Sequence, residues 1–378
     1  MKVVPLAERA VLGALLTVPG TDKASSGPTG PEAMTGWLRP EDFADPWHAE
    51  AYRTTRALLC AGDSAGPEAV GLDMLRRLGP TRADVVRVAG LLRDVPPHAR
   101  PETYAVMVLE ASLRREVAAQ GVLLRAGALQ AGLDGSARPM IAISALVEDV
   151  LDRAADRWAT ATGQPQPGGA RRAPVPLRSS TAGVGGALGA DRLLAVHPSP
   201  TKGQVAEHEA TLIAALITHP AQVGATSAWL RPAALTNRTW RPVYEAVLRL
   251  HTYGRRPLDA VTVFWETQRA ARTAGPGPDP RAGMALVERC VTVQPGYAAR
   301  QVAADHLRLA ADRTAESLYT AAANAGLDLN DVLGTGHILT EALRMGARPL
   351  EVASDRTRVA TVHVLPAPHA RRAGPVAG

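Results

Sequence analysis

Apolar side chains recur at helical spacing along this chain, and the pattern occurs twice. In the segment ERAVLGALLTVP (residues 8–19), leucines lie at positions i, i+3 and i+4, which places them on one face of a helix. The segment EATLIAALITHP (residues 209–220) repeats this spacing with isoleucine and leucine, and each segment closes on a proline that ends a helix. Both segments are predicted to be amphipathic helices of one repeated module.

The tetrapeptide WLRP extends the repeat, since it stands at residues 37–40 and again at 229–232. A residue suited to cap the N-terminus of a helix follows each copy, Asp45 in the first half and Asn237 in the second. Trp37 and Trp229 are predicted to be core anchors at the same place in both copies.

Each half continues into a pair of long helical segments. These pairs are predicted to form helical hairpins, residues 101–157 in the first half and 297–347 in the second. Alternating patterns typical of strands are lacking. The sequence therefore predicts an all-α fold with two tandem small helical-bundle modules, each followed by a helical hairpin.

The modules are assigned to residues 5–157 and 205–347. Residues 158–204 between them are rich in Pro, Gly and Ala, which predicts a flexible linker. Residues 348–378 end in HARRAGPVAG and are predicted to be a disordered basic tail.

Composition narrows the class of protein. Hydrophobic residues make up 46% of the chain and aromatic residues only 4%, with many Ala, Leu and Arg, which favours helix over sheet. Two cysteines, Cys60 and Cys290, form neither a disulfide framework nor a zinc cluster and fit a reducing cytosol. No stretch of 18 apolar residues occurs. We expect a cytoplasmic protein that does not enter a membrane.

The net charge of +6 permits contact with nucleic acid but does not require it. The basic residues are nearly all arginine and form no dense run. Weak, non-specific DNA binding and an ordinary solvated surface both remain open.

The motifs of catalysis are incomplete. A phosphate-binding loop needs lysine after glycine, and none of the three lysines, Lys2, Lys23 and Lys202, follows a glycine. The segment GDSAG (residues 62–66) follows a helix, whereas a nucleophile elbow follows a strand. HEATL (residues 208–212) has leucine in place of the second zinc ligand, and its Glu209 is interpreted as a first-turn residue favoured by the helix dipole. No enzyme activity, metal or cofactor is expected.

These segments resemble the N-terminal domain of bacterial replicative DNA helicases of the DnaB family. The first half carries the LGALL pattern, the LRPEDF turn and a histidine just beyond it, and the second half carries GRRPLDAVTV (residues 254–263). The second half has lost the acidic residues of the turn and has Trp240 in place of the histidine. The matching positions are Leu38, Pro40, Asp42, Phe43, His48, Tyr52, Trp229, Pro232, Tyr244, Pro257, Asp259, Val261 and Thr262.

In those helicases the domain is a small helical bundle with a helical hairpin. It self-associates through the hairpins and contacts primase. Because the linker raises the effective concentration of one module near the other, the resemblance implies that the two hairpins pair within one chain; pairing with another chain, as a dimer or a larger ring, is the alternative. The resemblance therefore implies a non-catalytic protein of DNA replication whose partners are primase, the replicative helicase or another hairpin. The alternative is a DNA-binding regulator of replication or of a mobile element. His48 is interpreted as a structural residue, with partner contact as the alternative.

Four arginines of the first hairpin are candidates for a partner-binding surface. An ordinary solvated helix face is the alternative interpretation. They are Arg114, Arg115, Arg153 and Arg157.

Overall fold

A computed structural model describes most of the chain, and the fold is all-α as predicted. Among the described residues no strand occurs. The described residues are 4–17, 31–93, 95–97, 100–164, 184–254, 256–271, 279–289 and 292–362.

Sixteen α-helices lie within these ranges, together with short 3-10 turns. In the first half they are α1 (Val4–Leu16), α2 (Pro31–Trp37), α3 (Pro46–Ala61), α4 (Pro67–Leu78), α5 (Pro80–Ala83), α6 (Val85–Arg93), α7 (Pro101–Asp134) and α8 (Arg138–Thr162). The others are α9 (Val184–Val196), α10 (Lys202–Thr218), α11 (Val223–Ser227), α12 (Trp240–Tyr253), α13 (Ala260–Ala271), α14 (Pro280–Arg289), α15 (Pro295–Ala323) and α16 (Leu329–Val362).

Local signals in the sequence set both ends of α3 and the C-terminal end of the corresponding helix α12. Asp45 caps α3 by accepting a hydrogen bond from the Trp47 amide, and proline occupies the first helical position. Gly62 ends α3 with φ of 77°, and Gly254 ends α12 with φ of 60°. Both glycines adopt the left-handed backbone conformation that ends a helix. Residues with a Cβ rarely adopt this conformation.

The predicted cap of α12 was wrong in position, because α12 begins at Trp240 after Thr239, and Asn237 accepts a hydrogen bond from the Thr239 amide before the helix.

Two predictions about the connecting segments were wrong in part. Within the expected flexible linker, α8 extends to Thr162 and residues 184–196 form α9; the carbonyls of His197 and Pro198 beyond it accept hydrogen bonds from Arg308. Alanine and leucine in this stretch favour helix despite the neighbouring glycines. The rest of the linker, residues 165–183, lies outside the described residues.

The prediction of a disordered tail from residue 348 was also wrong in part. Helix α16 passes through Pro349 and ends at Val362. Leu343, Ala347 and Leu350 are buried at i, i+4 and i+7, so one apolar stripe continues across the proline. Residues 363–378 lie outside the described part of the chain.

The chain forms two compact units, and each combines segments from both halves of the sequence. Unit 1 comprises residues 1–123, 145–187 and 314–340. Unit 2 comprises residues 124–144, 188–313 and 341–378. Each hairpin therefore contributes its base to one unit and its tip to the other.

The core of unit 1 forms around α1. This helix buries Leu12, Leu15 and Leu16, as the apolar spacing predicts, and packs against α3 and α6. The tip of the second hairpin lies against α7 in the same unit: a Cβ added at Gly121 would be 3.0 Å from Cβ of Ala315. Helices can approach this closely only where one side chain is absent.

The core of unit 2 forms around α10, which packs against α12 and α14. The tip of the first hairpin joins α15 here. A Cβ added at Gly132 would be 3.2 Å from Cβ of Ala304. Nε of Arg125 donates a 2.7 Å hydrogen bond to Oδ1 of Asp312.

Within each unit, therefore, α7 and α15 run antiparallel and in contact. In unit 1, Arg114 reaches the backbone just beyond α15, while Gly121 faces Ala315 farther back along that helix. In unit 2, residues 125 and 132 of α7 meet residues 312 and 304 of α15. The expectation that the two hairpins contact each other within one chain is confirmed.

No helix among the described residues is long and apolar enough to cross a membrane.

Candidate interaction surfaces

The WLRP motif leads into the same backbone turn in both halves. A 3-10 turn covers Pro40–Asp42 in unit 1 and Pro232–Ala234 in unit 2. Leu38 and Phe43 are buried on either side of the first turn, as are Leu230 and Leu235 around the second. Apolar side chains thus fix the turn at both ends, and in each half the one before the turn is the leucine of WLRP.

Asp42 connects the first turn to the base of the hairpin. Its carboxylate accepts hydrogen bonds from the backbone amide of Arg39 at 2.7 Å and from the Ser112 hydroxyl at 2.8 Å. Arg157 donates to the same carboxylate and, at 3.0 Å, to the Trp37 carbonyl. Asp42 is buried, so its charge is compensated inside the protein rather than by water.

Unit 2 joins the corresponding turn to its hairpin with different chemistry. Ala234, in the place of Asp42, has no side chain to accept a bond, but its carbonyl is hydrogen-bonded by His306. This histidine lies on α15 where Ser112 lies on α7. Burial lowers the pKa of His306, which favours the neutral ring. The turn and α15 therefore meet in unit 2 through a neutral group, where unit 1 has a charged network.

Glu8 holds the N-terminal end of α3 in unit 1. Its buried carboxylate accepts a hydrogen bond from the backbone amide of Ala44 at 2.6 Å and lies 2.8 Å from Nδ1 of His48. The buried His48 thereby helps to position the turn. The structural interpretation of this residue agrees with the geometry.

Glu209 has the equivalent position in unit 2. It accepts hydrogen bonds from the backbone amides of Thr236 at 2.7 Å and Asn237 at 3.1 Å. Burial raises the pKa of Glu209. The first-turn interpretation of this residue was wrong, because α10 begins at Lys202 and Glu209 lies two turns later, where it binds the start of another helix.

A buried tyrosine makes the same contact in both units. The Tyr52 hydroxyl donates to the Leu38 carbonyl at 3.4 Å, and the Tyr244 hydroxyl donates to the Leu230 carbonyl at 2.8 Å. Both tyrosines lie 14 residues beyond their acceptors, and both are almost fully buried. Burial raises the pKa of each phenol well above its usual range.

The two tyrosines should make the protein sensitive to alkali. A phenol whose folded-state pKa is raised is fully stabilising below the unfolded pKa near 10, and this stability is lost as the pH rises above it. Between pH 10 and pH 11 the two phenols should together lower the free energy of unfolding by about 2 kcal/mol. Urea denaturation of the native chain and of the Tyr52→Phe/Tyr244→Phe variant measures this: the variant should lose about 2 kcal/mol less over that interval. Parallel losses would contradict the assignment.

The second-half motif forms the start of α13. Thr262 donates its backbone amide to Oδ1 of Asp259 at 2.8 Å and its hydroxyl to the Pro257 carbonyl at 2.6 Å. Val261 is exposed. Pro257, Asp259 and Thr262 thus fix the end of a helix, while Val261 is left at the surface.

The four candidate arginines of the first hairpin have different surroundings. The Arg114 side chain is 4% exposed, and its guanidinium donates to the carbonyls of Asn324 and Leu327. Arg115 donates to the Asp42 carbonyl, and Arg157 bonds to the Asp42 carboxylate. Arg153 is 51% exposed and pairs with Asp149. All four have partners within unit 1: three bind the turn or the end of α15, whereas Arg153 pairs only along its own helix among the described residues. Their role toward a partner stays a prediction.

The two tryptophans of the repeated motif also differ. Trp37 is buried, as predicted for a core anchor. Trp229 is only half-buried, so the prediction holds less well there. The preceding helix differs too, since α2 has seven residues and α11 five.

Comparison with models of protein families, with curated proteins and with solved structures finds no match to this chain. Within the part of the chain that the structure describes, no three His, Cys, Asp or Glu side chains are grouped as a metal site would require.

Proposed function

We propose that this chain is a non-catalytic interaction protein of DNA replication, built from two modules like the N-terminal domain of DnaB-family helicases. The observation that carries the proposal is a pair of contacts made in both halves. A buried glutamate on the first helix binds the amides before the next long helix, and a buried tyrosine binds the carbonyl of the leucine in WLRP. Matching contacts at matching places support descent from one duplicated module.

The contacts between hairpins support an interaction role. In the helicases that the sequence resembles, such modules associate through their hairpins. Here α7 and α15 meet inside each unit, with glycine at the points of close approach. Association with a second chain through this surface is then unnecessary. Other helix faces are available to primase or to the replicative helicase.

The polar clusters serve structure rather than catalysis in this proposal. Asp42, Glu8 and His48 are buried and hydrogen-bonded to the backbone or to each other. A catalytic group must reach a substrate, whereas these groups are enclosed by the elements that they join.

Affinity capture from the source cell tests the proposed function. The full chain serves as bait after nuclease treatment, and a basic protein of similar isoelectric point serves as the control. Primase or the replicative helicase should be enriched on the chain and not on the control. Recovery of neither would overturn the proposal.

A DNA-binding regulator is the second candidate, because the net charge is +6. The structure favours it less, since several arginines are paired with carboxylates or carbonyls. A phosphate-neutralising surface gives affinity that falls steeply with salt. Tight, sequence-selective binding near physiological salt would favour this candidate over the first.

A further inference from the structure

One exposed tryptophan in unit 2 lies beside two arginines. The Trp265 side chain on α13 is 48% exposed. The guanidinium carbon of Arg256 is 4.5 Å from the centroid of its ring, and that of Arg269 is 5.5 Å away. These distances are within the range of cation–π attraction, so the ring holds two charged groups near one point of the surface.

The same face of α13 carries further apolar surface. Val261, Trp265 and Arg269 lie at i, i+4 and i+8, so they form one stripe along the helix. Val261 is 65% exposed. We call Val261, Trp265, Arg256 and Arg269 the α13 face. It combines a large aromatic ring, an aliphatic side chain and two guanidinium groups.

Positive charge on this face is only partly compensated. Glu266 is buried beneath it, and its Oε1 accepts a 2.9 Å hydrogen bond from Arg269. Nε of Arg249 lies 3.8 Å from the same oxygen. Asp259 is engaged by Thr262 at the start of the helix. Among the described residues, no carboxylate pairs with Arg256. Within the described part of the chain, the Arg256 guanidinium therefore has hydrogen-bond donors left for an external acceptor.

This combination matches protein recognition better than nucleic-acid recognition. Tryptophan and arginine are the residues most enriched among those that dominate binding energy at protein interfaces. Single-stranded nucleic acid needs a basic groove that follows several successive phosphates. The α13 face instead has only a small excess of positive charge, because the carboxylate of Glu266 binds Arg269 and that of Asp259 lies at the start of the same helix.

We propose that the α13 face binds an acidic peptide segment of a partner protein, one in which carboxylates flank a large apolar side chain. The carboxylates bind Arg256 and Arg269, and the apolar side chain packs on Trp265 and Val261. This inference rests on the proposed function and specifies the partner chemistry of one of its surfaces.

Peptide display on the purified full chain tests the inference with random peptides as the probe. A random 12-residue library is selected on the native chain, and the strongest peptide is synthesised with a fluorophore for anisotropy titration. Single-stranded (dT)20 is titrated in parallel. The variants are Trp265→Ala, Arg256→Glu and, as the matched control, Leu72→Ala. Leu72 is 49% exposed and lies on α4. It is a suitable control because α4 has the same place after α3 that α13 has after α12.

The selected peptides should be rich in Asp and Glu around an aromatic or aliphatic residue. Trp265→Ala and Arg256→Glu should each weaken binding at least about ten-fold, as expected at the centre of an interface, with unchanged circular dichroism. Leu72→Ala should change it less than about two-fold. Failure to select acidic peptides, or equal affinity of the three variants, would overturn the inference. The inference would also be overturned if the native chain bound (dT)20 and Trp265→Ala abolished that binding. That result would assign the α13 face to nucleic acid.

This test and the affinity capture fail independently. Peptide binding at the α13 face without capture of primase or helicase would retain the surface and reject the assignment to replication. Capture of primase by the Trp265→Ala variant as well as by the native chain would retain the proposed function and reject the α13 face as the primase-binding surface.

Discussion

Replacement of Asp42 by alanine should lower the free energy of unfolding by about 3–5 kcal/mol, the range for removing one partner of a buried ion pair. The change leaves the Arg157 guanidinium, itself largely buried, without its carboxylate. It also removes the acceptor of the Ser112 hydroxyl and of the Arg39 amide. The carboxylate connects three elements, so its loss should loosen the turn and the hairpin base together. Urea denaturation followed by circular dichroism measures the change.

Glu41→Ala is the matched control, because Glu41 is the neighbouring acid in the same turn. It is exposed and pairs only at 3.4 Å with Arg53 among the described residues. Exposed pairs contribute about 0–1 kcal/mol, so Glu41→Ala should be nearly silent. Equal effects of the two substitutions would show that the Asp42 network does not stabilise the turn.

Arg114→Ala should lower the free energy of unfolding by about 3–6 kcal/mol, since its guanidinium donates to two carbonyls and hydrogen bonds to a charged group contribute about 1.5–3 kcal/mol each. The guanidinium joins the first hairpin to the end of α15 through the carbonyls of Asn324 and Leu327. Without it, these carbonyls and Glu110 lose a buried donor. The measurement is again urea denaturation, with hydrogen exchange of residues 320–330 as a local readout. Exchange there should accelerate.

Arg153→Ala on the same hairpin provides the comparison. Arg153 is largely exposed and pairs with Asp149 one turn away. The expected change is within about 0.5 kcal/mol. If Arg153→Ala destabilised the chain as much as Arg114→Ala, the burial of the Arg114 guanidinium between the two hairpins would not explain its contribution to the free energy of unfolding.

The helices and their order were predictable because their signals are local. The spacing of leucines in α1, the aspartate cap of α3 and the repeated turn all act within a few residues. Such features follow from helix geometry alone. The doubled module, together with the hairpin pairing of the helicases that it resembles, also led to the expectation that the hairpins would meet.

The partners of the polar residues were not predictable in the same way. Glu8 binds backbone amides 36 and 37 residues away, and Arg114 binds carbonyls more than 200 residues away. Nothing in the neighbouring sequence distinguishes the buried Arg114 from the exposed Arg153. The repeat offers one usable signal: a glutamate at the same place in both first helices, Glu8 and Glu209, is consistent with a shared structural task.

The connecting segments show the limit of composition as a guide. Glycine and proline content predicted a linker up to residue 204 and a tail from residue 348. Ala190 and Leu350 are nevertheless buried, and both lie on helices. Apolar residues at helical spacing therefore prevail over nearby glycine or proline when a surface is available to bury them. The pairing of Arg256 with Trp265 escaped prediction because it depends on the path of the loop between α12 and α13.

The measurement that tests the account most directly is crosslinking between the two hairpins, combined with light scattering. Cysteines replace Arg125 and Asp312, which form a 2.7 Å ion pair, in a chain whose Cys60 and Cys290 are changed to serine. A short bismaleimide is added at micromolar protein. We predict crosslinks within single chains and a scattering mass near 39.7 kDa at every concentration. Crosslinks only between chains, with a mass that rises with concentration, would contradict pairing of the hairpins within one chain.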